Sequence, residues 1–178
     1  SAASDVYKRQ HNMVPIVEPE VLMDGEHSAE SCYDATSKCL NSLFSKLSTN
    51  EVNIKGTILK PNMILAGQDS PVQLSHSEVA ELTMKCLLEN VPPELPGIAF
   101  LSGGQSDIDA TANLDALNKK GGNPWKLTFS YGRALQQAAL KAWLGSNENT
   151  LAAQEAFSHR AEMNKLAALG KWTKDLER

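Results

Sequence analysis

Apolar positions along this chain follow two alternating rhythms. Short apolar runs at 13–21, 56–63, 97–103 and 126–131 read as strands, because they are rich in Val, Ile, Leu and Phe and are punctuated by Pro or Gly. Between them the period lengthens to that of a helix. Over 28–47, Cys32, Cys39, Leu40, Leu43, Phe44 and Leu47 recur at helical spacing, which predicts that Cys32 and Cys39 share one buried face. Ser75 to Glu78 form a capping box, and Val79, Leu82, Cys86 and Leu87 follow as the buried stripe. A third helix is predicted over 106–118 with Ser106 as its cap. The Ala- and Leu-rich stretches 134–144 and 149–169 are helical, with Gly145 breaking them apart.

Strand and helix in alternation predict parallel βαβ units, and hence an α/β fold. Four units are too few to close a barrel, which needs eight strands. The pattern leaves two architectures: a small open sheet with helices on both faces, or half of a barrel. Residues 1–10 have no apolar period and no signal-peptide core, so they read as a non-native leader and 11–178 as one unit.

Composition narrows the class. A chain of 178 residues fits one domain, and 42% hydrophobic with 21% charged residues is ordinary for a globular protein. A net charge of −4 gives no reason to expect nucleic acid or an anionic membrane as partner. No apolar run has the length of a membrane span. Three cysteines, Cys32, Cys39 and Cys86, without a CxxC spacing, suit reduced thiols inside a cell better than a disulfide framework. His11, His27, His76 and His159 are scattered without ligand spacing, which argues against a metal site. The chain has neither a Gly-x-Ser-x-Gly elbow nor a GxGxxG fingerprint.

Candidate chemistry gathers at the C-terminal ends of the strands, where α/β folds build ligand sites. Lys60 ends an apolar run and precedes Pro61, which keeps it extended. A lysine there either snorkels to water or, freed of its proton within an apolar collar such as Ile58, Leu59 and Met63, acts as an amine nucleophile toward a carbonyl. Glu18 and Glu20 share a strand face with Val14 and Ile16. They are either a solvated strand end or pocket carboxylates raised toward neutral pH for acid–base work. Ser102 and Gly103 follow the third strand. Ser130, Gly132 and Arg133 follow the fourth and adjoin a helix start. Small residues there let backbone N–H groups approach an anion, and Arg133 adds a bidentate clamp, which suits a phosphate group.

Four motifs in order, Val-Pro-Ile-Val-Glu-Pro-Glu at 14–20, Gly-Thr-Ile-Leu-Lys-Pro-Asn-Met at 56–63, Phe-Leu-Ser-Gly-Gly-Gln at 100–105 and Thr-Phe-Ser-Tyr-Gly-Arg-Ala at 128–134, resemble class I fructose-bisphosphate aldolase. The resemblance covers the chain from about Met13 to about Lys171. It implies the second half, strands five to eight, of a (β/α)8 TIM barrel plus C-terminal helices. It implies reversible cleavage of fructose 1,6-bisphosphate to dihydroxyacetone phosphate and glyceraldehyde 3-phosphate, in glycolysis, gluconeogenesis or the Calvin cycle. Lys60 matches the Schiff-base lysine, Glu18 the acid–base carboxylate and Glu20 a glutamate that orients the lysine. Ser102, Gly103, Ser130, Gly132 and Arg133 match the site for the C1 phosphate. No metal or other cofactor is implied, because the protonated Schiff base is the electron sink.

The family's first four strands have no counterpart here. They carry an aspartate acting on the C4 hydroxyl and two substrate lysines. The family's C-terminal tyrosine has none either. The expectation is a shortened chain, weak or inactive alone, from a cytoplasmic or plastid parent that is commonly a homotetramer. Two other functions fit the same residues: a non-catalytic, self-pairing half-barrel that binds sugar phosphates, and a Schiff-base aldolase of another phosphorylated substrate, such as a transaldolase-like enzyme.

Overall fold

The computed structural model describes Gln10, His11 and residues 13–177. The leader expected over 1–10 lies outside the described residues except for Gln10. Four parallel strands form one sheet in strict chain order: β1 (Ile16–Val17), β2 (Ile58–Leu59), β3 (Gly97–Phe100) and β4 (Lys126–Phe129). The order never reverses, so there is no switch point of the doubly wound kind.

Register explains which side carries the core. Val17, Leu59, Ile98 and Leu127 stand in line across the sheet. Leu59, Ile98 and Leu127 are buried in a core shared with Leu40, Val79, Met84, Leu87, Leu114 and Leu117 of the helices, and Val17 packs against its edge. Alternation sends the neighbouring rows to the opposite face. There Ile16, Glu18, Lys126 and Thr128 are exposed. Helices therefore cover one face and leave the other open, which is the half-barrel of the two expected architectures.

The strands are shorter than the apolar runs that predict them. Pro15, Pro19 and Pro61 have no N–H to donate and interrupt the ladders of β1 and β2. Single backbone bonds continue the pairing past the strand ends. Ile58 donates to the Pro15 carbonyl (3.0 Å), Lys60 to Val17 (2.7 Å) and Leu101 to Pro61 (3.0 Å).

Helix starts follow their caps. The Ser28 hydroxyl accepts from the Ser31 N–H at the head of α1 (Ala29–Thr49). Ser75 and Glu78 complete the capping box of α2 (His76–Asn90). Ser106 caps α3 (Asp107–Lys120) through the Asp109 N–H. Next come α4 (Arg133–Trp143) and α5 (Thr150–Ala168). Leu144 ends α4 in the left-handed region at φ 53°, with Gly145 following at φ 74°.

One expectation within α1 fails. Cys32 is buried, but Cys39 is exposed. The buried stripe runs through Cys32, Thr36 and Leu40 at intervals of four. Each such step advances about 40° around the helix. By Leu40 the covered face has turned away from Cys39, which lies about 100° behind it.

A charged clasp fastens the C-terminal segment, and no sequence expectation anticipated it. Arg160 of α5 and Glu177 are 5% and 9% exposed at their side chains and form a two-pronged ion pair. Arg160 also donates to the Thr111 hydroxyl (3.0 Å), and the Trp172 indole donates to Glu177 (2.9 Å). Asp115 accepts from the Trp172 backbone N–H (3.0 Å), while Lys119 bridges Asp115 and the Trp172 carbonyl. Burial alone pushes the Glu177 carboxyl up. The hydrogen bonds from Arg160 and Trp172 and the nearby positive charge outweigh it and hold the group below the usual range.

Candidate active site

The register that builds the sheet also builds the proposed catalytic pair. Val17 lies opposite Leu59, so the next residues, Glu18 and Lys60, are neighbours on the open face. Lys60 Nζ lies 2.9 Å from Glu18 Oε1. The lysine side chain is 20% exposed and the glutamate 47%. Ala99 and Thr128 continue this row on β3 and β4.

Glu18 and Glu20 are both exposed at the end of β1. No hydrogen bond or ion pair among the described residues joins Glu20 to Lys60; the structure pairs the lysine with Glu18. Nor do Leu59 and Met63 form a collar around the amine. Both are fully buried in the core, because alternation sends Leu59 to the helix side.

Asn62 is a residue that the sequence motif contained but to which no role was given. It is buried beneath the site. Its Oδ1 accepts from the Val21 N–H (3.1 Å), and its Nδ2 donates to Thr36 Oγ1 and to the Met63 carbonyl (3.0 Å each). One amide thus ties the segment after β1 to the segment after β2 and to α1. A polar residue directly after Lys-Pro, inside an otherwise apolar run, was the signal that could have found it. Farther along, the Gly67 N–H donates to His27 (2.8 Å) and the Gln68 N–H to Met23 (2.8 Å). A side chain at Gly67 would stand 2.2 Å from the Gly25 carbonyl oxygen, so only glycine permits this approach.

The two phosphate-type loops sit side by side. Ser130 donates its N–H to the Phe100 carbonyl (2.8 Å), joining the ends of β3 and β4. Ser102 is buried. Gly103 and Gly104 turn the chain at φ 56° and 78°, a conformation that favours glycine. Tyr131 points the other way, into α3, where its hydroxyl donates to the Ala110 carbonyl (2.8 Å). Burial pushes that phenol up, which suits a structural donor rather than an acid. Gly132 caps α4 without a side-chain bond, the Leu135 and Gln136 N–H groups return to its carbonyl, and the exposed Arg133 opens the helix. Ser102, Gly103, Ser130, Gly132 and Arg133 thus occupy the same end of the sheet as Lys60.

The family model of fructose-bisphosphate aldolase class-I matches residues 4–178. The chain belongs to this family. It is 51% identical over 165 residues to fructose-bisphosphate aldolase B of Gallus gallus, covering 92% of this chain and 45% of that protein. It is 45% identical to the fructose-bisphosphate aldolase of Dictyostelium discoideum, covering 93% of this chain and 46% of the relative. A solved structure of fructose-bisphosphate aldolase from Plasmodium falciparum, in complex with TRAP and a small molecule inhibitor, is similar with a TM-score of 0.92 at 46% identity. That likeness covers 97% of this chain and 50% of the other. The chain therefore spans about half the length of the aldolases it matches. These relatives bear out the aldolase resemblance and the α/β fold that it implied. Among the described residues, no helix is long and apolar enough to cross a membrane.

Proposed function

We propose that the protein to which this chain belongs cleaves fructose 1,6-bisphosphate reversibly through a Schiff base on Lys60, giving dihydroxyacetone phosphate and glyceraldehyde 3-phosphate. The observation that carries this reading is the 2.9 Å approach of Glu18 to the Lys60 amine, at the strand ends that also bear the two phosphate-type loops. The amine attacks the C2 carbonyl, and the carbinolamine loses its hydroxyl as water. Glu18, at hydrogen-bond distance, moves the protons that this dehydration requires. The resulting iminium draws in the electron pair of the C3–C4 bond as the C4 hydroxyl gives its proton to the aspartate of the other half, releasing the aldehyde. The enamine left on Lys60 then takes a proton at C3 and is hydrolysed by water to dihydroxyacetone phosphate and the free amine. Ser102, Gly103, Ser130, Gly132 and Arg133 hold the C1 phosphate and so fix the carbonyl over the lysine. Glu20 orients the lysine neighbourhood once substrate and the remaining strands are present.

Closure of an eight-stranded barrel around this open face is required for turnover, so the chain alone binds sugar phosphate without cleaving it. The parent works as a homotetramer in the cytoplasm, or in a plastid in photosynthetic cells. In the protein carrying both halves, Lys60→Ala is expected to abolish cleavage; cleavage that survives rejects Lys60 as the nucleophile.

A further inference from the structure

The ladder between β1 and β2 stops at the residues that carry the proposed chemistry. Its last rung among the described residues is the bond from the Lys60 N–H to the Val17 carbonyl, 2.7 Å. In a parallel ladder the next rung would run from the N–H of residue 19 to the Lys60 carbonyl. Residue 19 is Pro19, which has no N–H, so that rung is missing. The rung after it would run from the Val21 N–H to the Asn62 carbonyl. Val21 donates instead to the Asn62 side chain, at Oδ1, 3.1 Å away. Among the described residues, the next backbone bond between the two segments is the one from the Gln68 N–H to the Met23 carbonyl.

Asn62 is held on its other side. It is 3% exposed, and its Nδ2 donates to the Met63 carbonyl and to Thr36 Oγ1 of α1. A backbone N–H only donates and a carbonyl only accepts, so Val21 and Met63 together fix which way the amide faces. The bonds from Lys60 to Val17 and from Val21 to Asn62 enclose Glu18, Pro19 and Glu20 on one strand end, and Lys60 and Pro61 on the other. Both prolines lock their φ angles, so the enclosed stretch is stiff and a displacement at Val21 is passed on to Glu18. Lys60 Nζ and Glu18 Oε1, 2.9 Å apart, belong to residues inside this ring.

We propose that Asn62 is a positioning residue for the Schiff-base chemistry. Its side chain re-joins the two strand ends after the rung that Pro19 removes, and so sets the distance and direction at which Glu18 meets Lys60. None of its hydrogen bonds reaches the Lys60 amine, the Glu18 carboxylate or either phosphate-type loop. Its loss therefore slows the proton transfers made by Glu18 without weakening the hold on the substrate phosphate. This inference rests on the proposed role of Glu18 in the dehydration step.

The test is a double-mutant cycle in the protein carrying both halves, read by steady-state cleavage of fructose 1,6-bisphosphate. Asn62→Ala is expected to lower kcat about 10- to 100-fold and to leave KM within about threefold. In the Glu18→Gln background the same substitution is expected to lower kcat by no more than about threefold further, because the carboxylate it would misplace is gone. Thr36→Val takes one partner from Nδ2 but leaves the Val21 bond. It is expected to lower the thermal midpoint while keeping kcat within about twofold. Asn62→Ser, too short to reach the Val21 N–H, replaces Asn62→Ala in the cycle if the alanine variant does not fold. Losses that multiply in the double variant, a raised KM at unchanged kcat, or a kcat loss in Thr36→Val as large as that in Asn62→Ala overturns the positioning role. Unaltered turnover in Glu18→Gln instead overturns the acid–base reading of Glu18, and with it the route by which Asn62 acts.

Discussion

Two ion pairs in this chain are built in opposite ways. Arg160 and Glu177 are almost wholly buried, meet through two prongs, and have further hydrogen bonds from Thr111 and Trp172. Lys60 and Glu18 meet through one contact on an open sheet face, with the glutamate about half exposed. In the first pair two prongs and two further hydrogen bonds fix the geometry, with only Arg160 Nε left without a hydrogen bond, so it fastens the chain. In the second, one contact joins a potential nucleophile to a potential base, and little else holds either. Under the proposed mechanism the Lys60–Glu18 pair separates to admit a substrate carbonyl, which a single exposed contact allows.

The contrast is sharpest in stability. Arg160→Met leaves the buried Glu177 carboxylate with only the Trp172 indole and His159, 3.7 Å away, and is expected to cost about 3–5 kcal/mol in urea unfolding. A loss below about 1 kcal/mol would show that the clasp is no tighter than a surface pair. Trp172→Phe removes the indole donor to Glu177 and part of a ring buried in the core, and is expected to cost about 1–3 kcal/mol by the same measurement.

The clasp also carries a pH signature. Because the Glu177 carboxyl is held below its ordinary value of 4.5, its contribution is fully present above that pH. It is lost as pH falls through the depressed value. Glu177→Gln is expected to flatten the acid limb of the stability profile, read from thermal midpoints between about pH 5 and pH 2. An unchanged limb would remove Glu177 as its source. Glu18→Gln stands at the other extreme. It is expected to change stability by less than about 1 kcal/mol, yet to slow cleavage by about 10²- to 10⁴-fold in the protein carrying both halves. A large stability loss with unaltered turnover would reverse the assignment of the two pairs.

What could be read from the sequence divides along the same line. Local chemistry was legible: the Ser75–Glu78 box, the Ser106 cap and the four-strand rhythm are short-range patterns, and each has its counterpart in the structure. The neighbourhood of Lys60 and Glu18 was legible only through the family resemblance, because strand register depends on pairing partners 42 residues apart in sequence (60 − 18). The clasp was missed altogether. Its signal was present, since Arg160, Met163, Asn164 and Ala167 form a buried helical stripe with two polar members. Cys39 misled because a seven-residue spacing drifts about 20° from a straight helix face and the buried stripe advances the other way. The collar expected from Leu59 failed for a simpler reason, since adjacent strand residues point to opposite faces.

The central claim is that Lys60 is the group that bonds to substrate. Its most direct test is borohydride reduction of the protein carrying both halves, in the presence of fructose 1,6-bisphosphate, followed by peptide mapping by mass spectrometry. The predicted result is one stable adduct on Lys60, absent from Lys60→Ala. An adduct mapped to another lysine, or trapping that persists undiminished in the variant, would contradict it.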